Sequence, residues 1–145
     1  MLKGIPHILG PDLLHALQSM GHGDEITIVD GNYPGAGAGP RLIRADGHSG
    51  TDLLEAILTL MPLDDFVPDP AVVMQVVGDA EERPPIVDAY ERIVGRFEPE
   101  VELASLERFA FYRRANAGYA IVQTGEQRLY GNIILKKGVI RPPNP

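Results

Sequence analysis

The chain contains no cysteine, which excludes disulfides, thiolate metal sites, cysteine nucleophiles and iron–sulfur ligation. It has no HExxH motif, and its four histidines, His7, His15, His22 and His48, form neither an HxH nor an HxxxH pair, so zinc spacing is missing and no metal is expected. No GxSxG elbow is present, and covalent catalysis is not suggested. No apolar run approaches the ~20 residues of a membrane span. Met1-Leu2-Lys3-Gly4-Ile5-Pro6 carries one cation but no continuous apolar stretch, so the expected compartment is the cytosol. Cations are also scarce: 13 Lys and Arg against 20 Asp and Glu give a net charge of −7. They are scattered rather than banded, which argues against nucleic acid, and the acidic balance favours a neutral ligand over an acidic one.

What is present fits one domain spanning 1–145. With 44% hydrophobic and 23% charged residues, a chain of this size buries roughly 68–70% of its unfolded surface and needs no covalent staple. Pro11 opens a helix with Leu13, Leu14, Leu17 and Met20 on one face, which Gly21 stops. Glu25 to Val29 is a strand ending at Asp30, and Gly31 to Pro40 is a loop. Leu42 and Ile43 suggest a short strand, after which Ser49 or Thr51 caps a helix burying Leu53, Leu54, Ile57 and Leu60, closed by Pro62. Ala71 to Val77 is apolar enough to be a strand covered on both faces. Pro84 and Pro85 open a helix with Ile86, Tyr90, Ile93 and Phe97, and Val101 to Leu106 is extended. A helix over Arg108 to Asn116, a strand over Tyr119 to Gln123, a turn at Thr124-Gly125-Glu126 and a strand over Ile133 to Leu135 follow. This alternation predicts an α/β domain of three layers, α/β/α, with a mostly parallel mixed sheet whose final two strands are antiparallel because their connection is short. The proline-rich tail Arg141 to Pro145 is expected to be loose.

Gly35-Ala36-Gly37-Ala38-Gly39 lacks the context of a phosphate cradle, because Pro40 and a β-like segment follow where a helix must begin. His22 is more informative. Flanked by Gly21 and Gly23 on a bend just before the first strand, its imidazole can take and return a proton near neutral pH. Arg108-Phe109-Ala110-Phe111-Tyr112 and Tyr130-Gly131-Asn132 combine hydroxyl-binding groups with aromatic faces suited to the C–H side of a sugar. Residue types alone leave a second reading open, with Phe109 and Phe111 in the core and Arg108 in an ion pair; packing is the commoner use of such aromatics. Glu81-Glu82 and Asp64-Asp65 read as solvated loop charge.

Taken in order, Met20-Gly21-His22-Gly23-Asp24-Glu25, the strand ending at Asp30, Arg44-Ala45-Asp46-Gly47, the segment 108–112 and the run from Tyr130 to Val139 resemble the L-fucose mutarotase family, which is related to D-ribose pyranase. The likeness covers nearly the whole chain. It implies that His22 is the catalytic histidine, Asp30 the acidic residue near the sugar, Arg108 a substrate-binding arginine, and Tyr130, Gly131 and Asn132 the sugar-contacting segment. It further implies a cofactor-free isomerase and a ring-shaped homo-oligomer, a decamer, with sites built between subunits.

Anomer exchange requires the anomeric hydroxyl to lose a proton and the ring oxygen to gain one, followed by rotation about C1–C2 and reclosure. In that scheme His22 carries the proton, Asp30 orients it or a sugar hydroxyl, Tyr130 is a second donor, and Arg108 and Asn132 position hydroxyls. One departure bears on the sugar: Gly31-Asn32-Tyr33-Pro34 stands where the fucose-type pattern carries Ala-His-Phe-Pro, so a second histidine is absent. The 108–112 segment favours the fucose branch. A non-catalytic sugar-binding accessory of uptake and a ribose-type pyranase are the alternatives.

Overall fold

Ile26 and Ile28 pack against one apolar cluster and Val29 against another, on opposite sides of a single strand. A strand buried on both faces requires a layer of cover on each. In the computed structural model, which describes residues 1–144, this strand is β1 (Glu25–Val29). It lies in a six-stranded sheet with β2 (Arg41–Ala45), β3 (Ala71–Met74), β4 (Ala104–Leu106), β5 (Ala120–Thr124) and β6 (Ile133–Lys136), in the order β2-β5-β1-β6-β3-β4. The β1–β5, β2–β5 and β3–β4 pairs are parallel, and β6 runs antiparallel to both β1 and β3.

The last two strands run antiparallel, as expected, but they are not neighbours: β1 lies between β5 and β6, with Ile28 opposite both Val122 and Ile133. The reason is the connection, which is no tight hairpin but a loop over 125–132 that crosses the end of β1. The Gly31 amide ties it there, donating to the Glu126 carbonyl at 2.9 Å.

On one face lie α1 (Pro11–Ser19), α2 (Gly50–Leu60) and α3 (Pro85–Phe97), burying Leu13, Leu17, Leu53, Leu54, Ile57, Ile86, Tyr90 and Val94 against Ile26, Ile28, Val122, Ile133 and Leu135. Each large aliphatic side chain fully removed from water stabilises the fold by about 1.5–3 kcal/mol. Of the two candidate caps for α2, Ser49 serves: its Oγ accepts from the Asp52 amide at 3.1 Å.

The other face is covered by α4 (Arg108–Asn116) and the 31–40 loop, through Phe111, Ala115 and Tyr33 over Val72, Ile121 and Ile134. Because α4 buries few apolar groups, polar ties hold it. Glu107 caps its start, accepting from the Phe109 and Ala110 amides at 2.9 and 3.2 Å. Arg114 near its end reaches Glu25 at 2.7 Å and Asp69 at 2.8 Å, a charge-assisted pairing that fixes the helix against the start of β1.

Two segments differ from expectation. The strand beginning at Ala71 ends at Met74, because the chain beyond turns on itself, with Val76 bridging Asp79 and Gly78 at φ +85°. The tail is tied at Arg141, which pairs with Asp65 at 2.8 Å; Pro145 lies outside the described residues.

Candidate active site

Five of the six strands run the same way, so the ends of β1, β3 and β4 and the start of β6 meet at one edge of the sheet. The crevice outside the carboxyl ends of strands is where open α/β sheets bind ligands. Asp30 follows β1 there, Arg108 follows β4, and Tyr130, Gly131 and Asn132 lead into β6.

Asp30 and Asn132 are both buried. The Asp30 amide donates to Asn132 Oδ1 at 2.9 Å, and the Asp30 carboxylate accepts from the Asn32 amide at 2.9 Å and the Gly131 amide at 3.2 Å. Burial pushes the Asp30 carboxyl above its ordinary value, against the lowering effect of those amides. A buried carboxyl raised in this way is suited to proton exchange with a bound hydroxyl.

Tyr130 has φ +64°, the left-handed region that a bulky side chain rarely occupies. Such a conformation costs on the order of 1–3 kcal/mol and persists where surrounding contacts impose it. Here the Gly131 carbonyl is held by the Tyr90 hydroxyl at 3.0 Å, and Tyr130 Oη accepts from the Val77 amide at 3.1 Å.

Beside it, residues 75–80 and 107–109 line a cleft of about 370 Å³. Its Arg108 guanidinium lies 4.6 Å over the Phe109 ring, with Nε buried and unpartnered among the described residues. The ion-pair reading of Arg108 therefore does not hold among those residues. Of the two phenylalanines only Phe111 is core, since Phe109 is exposed.

Three supporting residues escaped the sequence reading. Buried Glu126 accepts from the Gly50 amide at the start of α2 (3.1 Å) and from Arg128 Nε (2.9 Å), and Arg128 together with burial sets its acidity; Arg128 wins, holding the carboxyl down at about 2. Tyr90 reads as ordinary helix core, and Gln123, which donates to the Asp30 carbonyl at 2.7 Å, reads as strand. No local signal separates them from packing residues.

His22 lies at the other edge of the sheet. It precedes β1 whereas Asp30 follows it, so on the order of 17 Å of strand separates them. Its Nε2 is 2.9 Å from Oδ1 of Asp64, its ring sits 5.0 Å from that of Phe66, and the Gly23 amide donates to the Lys137 carbonyl at 2.8 Å. Asp64 is thus corrected from solvated charge: it is buried, while its neighbour Asp65 is exposed and pairs with Arg141. The Phe66 amide and His22 keep the Asp64 carboxyl below its ordinary value even though burial, the largest influence, pushes it up.

Within one chain, then, Asp30, Arg108, Tyr130, Gly131 and Asn132 are brought to one edge, and His22 stands apart from them. Among the described residues no cluster of three or more His, Asp or Glu side chains forms a metal site, and no helix is long and apolar enough to cross a membrane.

Known proteins share this architecture. Human fucose mutarotase (Homo sapiens) is 50% identical over 145 aligned positions, covering 96% of this chain and 94% of the human protein. The crystal structure of FucU from Bifidobacterium longum superposes with a TM-score of 0.91 at 43% identity, over 96% of this chain and 100% of the other. The fucose mutarotase from Streptococcus pneumoniae, solved in complex with L-fucose, superposes with a TM-score of 0.90 at 45% identity, over 97% and 100%. The profile described as the RbsD / FucU transport protein family matches residues 3–140. The chain belongs to the RbsD / FucU family.

Proposed function

We propose that this one-domain chain is a cytoplasmic monosaccharide mutarotase that interconverts the α and β anomers of L-fucose or a similar reducing sugar. The observation that carries the reading is its likeness, over 97% of its length, to a fucose mutarotase solved with L-fucose. His22 takes the anomeric proton, O5 receives a proton from Tyr130 or water as the C1–O5 bond breaks, the C1–C2 bond rotates, and reclosure on the other face reverses both transfers. Arg108, Asp30, Gly131 and Asn132 hold the hydroxyls. The unpartnered Arg108 Nε is a donor that a sugar oxygen would satisfy, since a buried orphan costs about 1–3 kcal/mol.

The separation of His22 from Asp30 is met by association. In a ring-shaped homo-oligomer, a decamer, the His22 edge of one copy faces the Asp30 edge of another. Exposed apolar side chains at both edges support this: Phe66 and Ile140 near His22, and Val77, Phe109 and Leu129 near Asp30. Contacts between unlike surfaces of identical chains close into rings.

NMR saturation transfer between the anomeric protons of L-fucose, with ribose, galactose and glucose alongside, tests the activity. Faster exchange for fucose supports the mutarotase. Acceleration confined to ribose favours a pyranase, and binding without acceleration an accessory sugar binder.

A further inference from the structure

Past the end of the β1 ladder, four successive backbone groups are bound in turn. The Val29 carbonyl accepts from Thr124 Oγ1 at 2.7 Å and the Asp30 amide donates to Asn132 Oδ1 at 2.9 Å. The Asp30 carbonyl then accepts from Gln123 Nε2 at 2.7 Å, and the Gly31 amide donates to the Glu126 carbonyl at 2.9 Å. Asp30 is thus strung between the strands that flank β1, by the side chain of Asn132 ahead of β6 and that of Gln123 in β5. Asn132 is itself one of the groups assigned to the sugar. Gln123 is not: it shares the face of Ile121, two residues back in β5, and is buried.

Only the nitrogen of the Gln123 amide can face a carbonyl, and its Oε1 lies against Gly35. A Cβ on Gly35 would stand 2.5 Å from that oxygen, 3.1 Å from Leu42 Cδ1 and 3.5 Å from Ile121 Cγ2. The backbone does not call for glycine at 35, since the glycines of positive φ are Gly4, Gly23, Gly39 and Gly78. Space does. One amide therefore binds the Asp30 carbonyl through its nitrogen and, through its oxygen, fills the room left by the missing side chain in the 31–40 loop.

We infer that Gln123 is a positioning residue for Asp30: its side-chain amide sets the Asp30 peptide at the end of β1 so that the carboxylate is presented to the sugar, and Gly35 supplies the space that allows it. The inference rests on the reading of Asp30 as a group that holds the sugar's hydroxyls. Without the Nε2 donor the Asp30 carbonyl keeps only the Tyr33 amide, at 3.3 Å. A buried carbonyl left so poorly paired shifts toward other donors, and the shift turns the carboxylate away from the Asn32 and Gly131 amides, now at 2.9 and 3.2 Å. Gln123 exchanges no proton in this role. Its loss is felt as weaker sugar binding rather than as slower chemistry.

The test is a set of variants read by calorimetric Kd for L-fucose, by kcat and KM for anomer exchange, and by thermal unfolding. Gln123→Leu keeps the bulk and removes the donor. It should raise Kd and KM about tenfold with kcat within about threefold, and cost nothing further in the Asp30→Asn background. Gly35→Ala should lower Tm by about 4 °C or more. Adding Gln123→Ala to it should restore Tm while KM stays raised, because the Cβ then has room but the Asp30 carbonyl still lacks its donor. Unchanged Kd and KM in Gln123→Leu, a loss that persists in full without the Asp30 carboxylate, or a paired variant whose KM recovers with its Tm overturns the inference. Should Gln123→Leu not fold, the paired variant decides on the same readings, and Kd serves even if the chain binds sugar without catalysis. A weakened Asp30→Asn beside an unaffected Gln123→Leu overturns the role of Gln123 alone, whereas an Asp30→Asn that binds and exchanges fucose like the wild type overturns the reading of Asp30 and the role of Gln123 with it.

Discussion

Tyr90 donates its buried hydroxyl to the carbonyl of Gly131 at 3.0 Å, so a helix on one face of the sheet fixes the segment that turns into β6 at its edge. Tyr90→Phe keeps the ring and removes the donor. Leaving a buried carbonyl unpaired costs about 1–3 kcal/mol, and the left-handed turn at Tyr130 loses one of the contacts that impose it. Urea denaturation should show that loss, with a rise in the KM for fucose. Unchanged stability and KM would mean the contact positions nothing.

Gly131 has no room for a side chain. A Cβ there would meet Glu126 Cγ at 2.9 Å, the Arg128 carbonyl oxygen at 3.3 Å and Asp30 Cβ at 3.4 Å. Gly131→Ala is expected to destabilise the fold by about 1–3 kcal/mol and to displace Asp30 from the Gly131 amide. Anomer exchange should fall more than thermal stability alone explains, measured at a temperature where the variant stays folded.

Glu126 gives the molecule an acid-side dependence of predictable sign. Its folded carboxyl is depressed from the ordinary 4.5 to about 2, by Arg128 chiefly and against burial. The stability it contributes is therefore fully present above pH 4.5 and is lost as the pH falls through about 2. Thermal unfolding followed by circular dichroism should fall more steeply over that window for the wild type than for Glu126→Gln. Parallel curves would contradict the assignment.

Much of this architecture is legible in the sequence because it is written locally. Pro11, Pro85 and the Ser49 cap mark helix starts, and the apolar runs at 25–29 and 71–74 mark strands covered on both faces. Strand order is not local. That β1 separates β5 from β6 depends on a loop whose course is set by Glu126 binding the start of α2 from 76 residues away. Asp64 fails for the same reason. Beside Asp65 it looks like a solvated pair, and only the bridge between Leu63 and Lys137 buries one carboxylate while leaving the other outside. His22 and Asp30 stand out as residues, but their separation by the length of β1 becomes visible only when the strand is drawn out.

That separation makes the central claim testable in one measurement. His22→Ala and Asp30→Asn chains, each nearly inactive alone, are unfolded together, refolded as a mixture and assayed for fucose anomer exchange. If each site takes His22 from one copy and Asp30 from another, random assembly restores about a quarter of the sites, and activity returns to about that fraction of wild type. A mixture no more active than the sum of its parts, while both variants assemble normally, would contradict a site shared between copies.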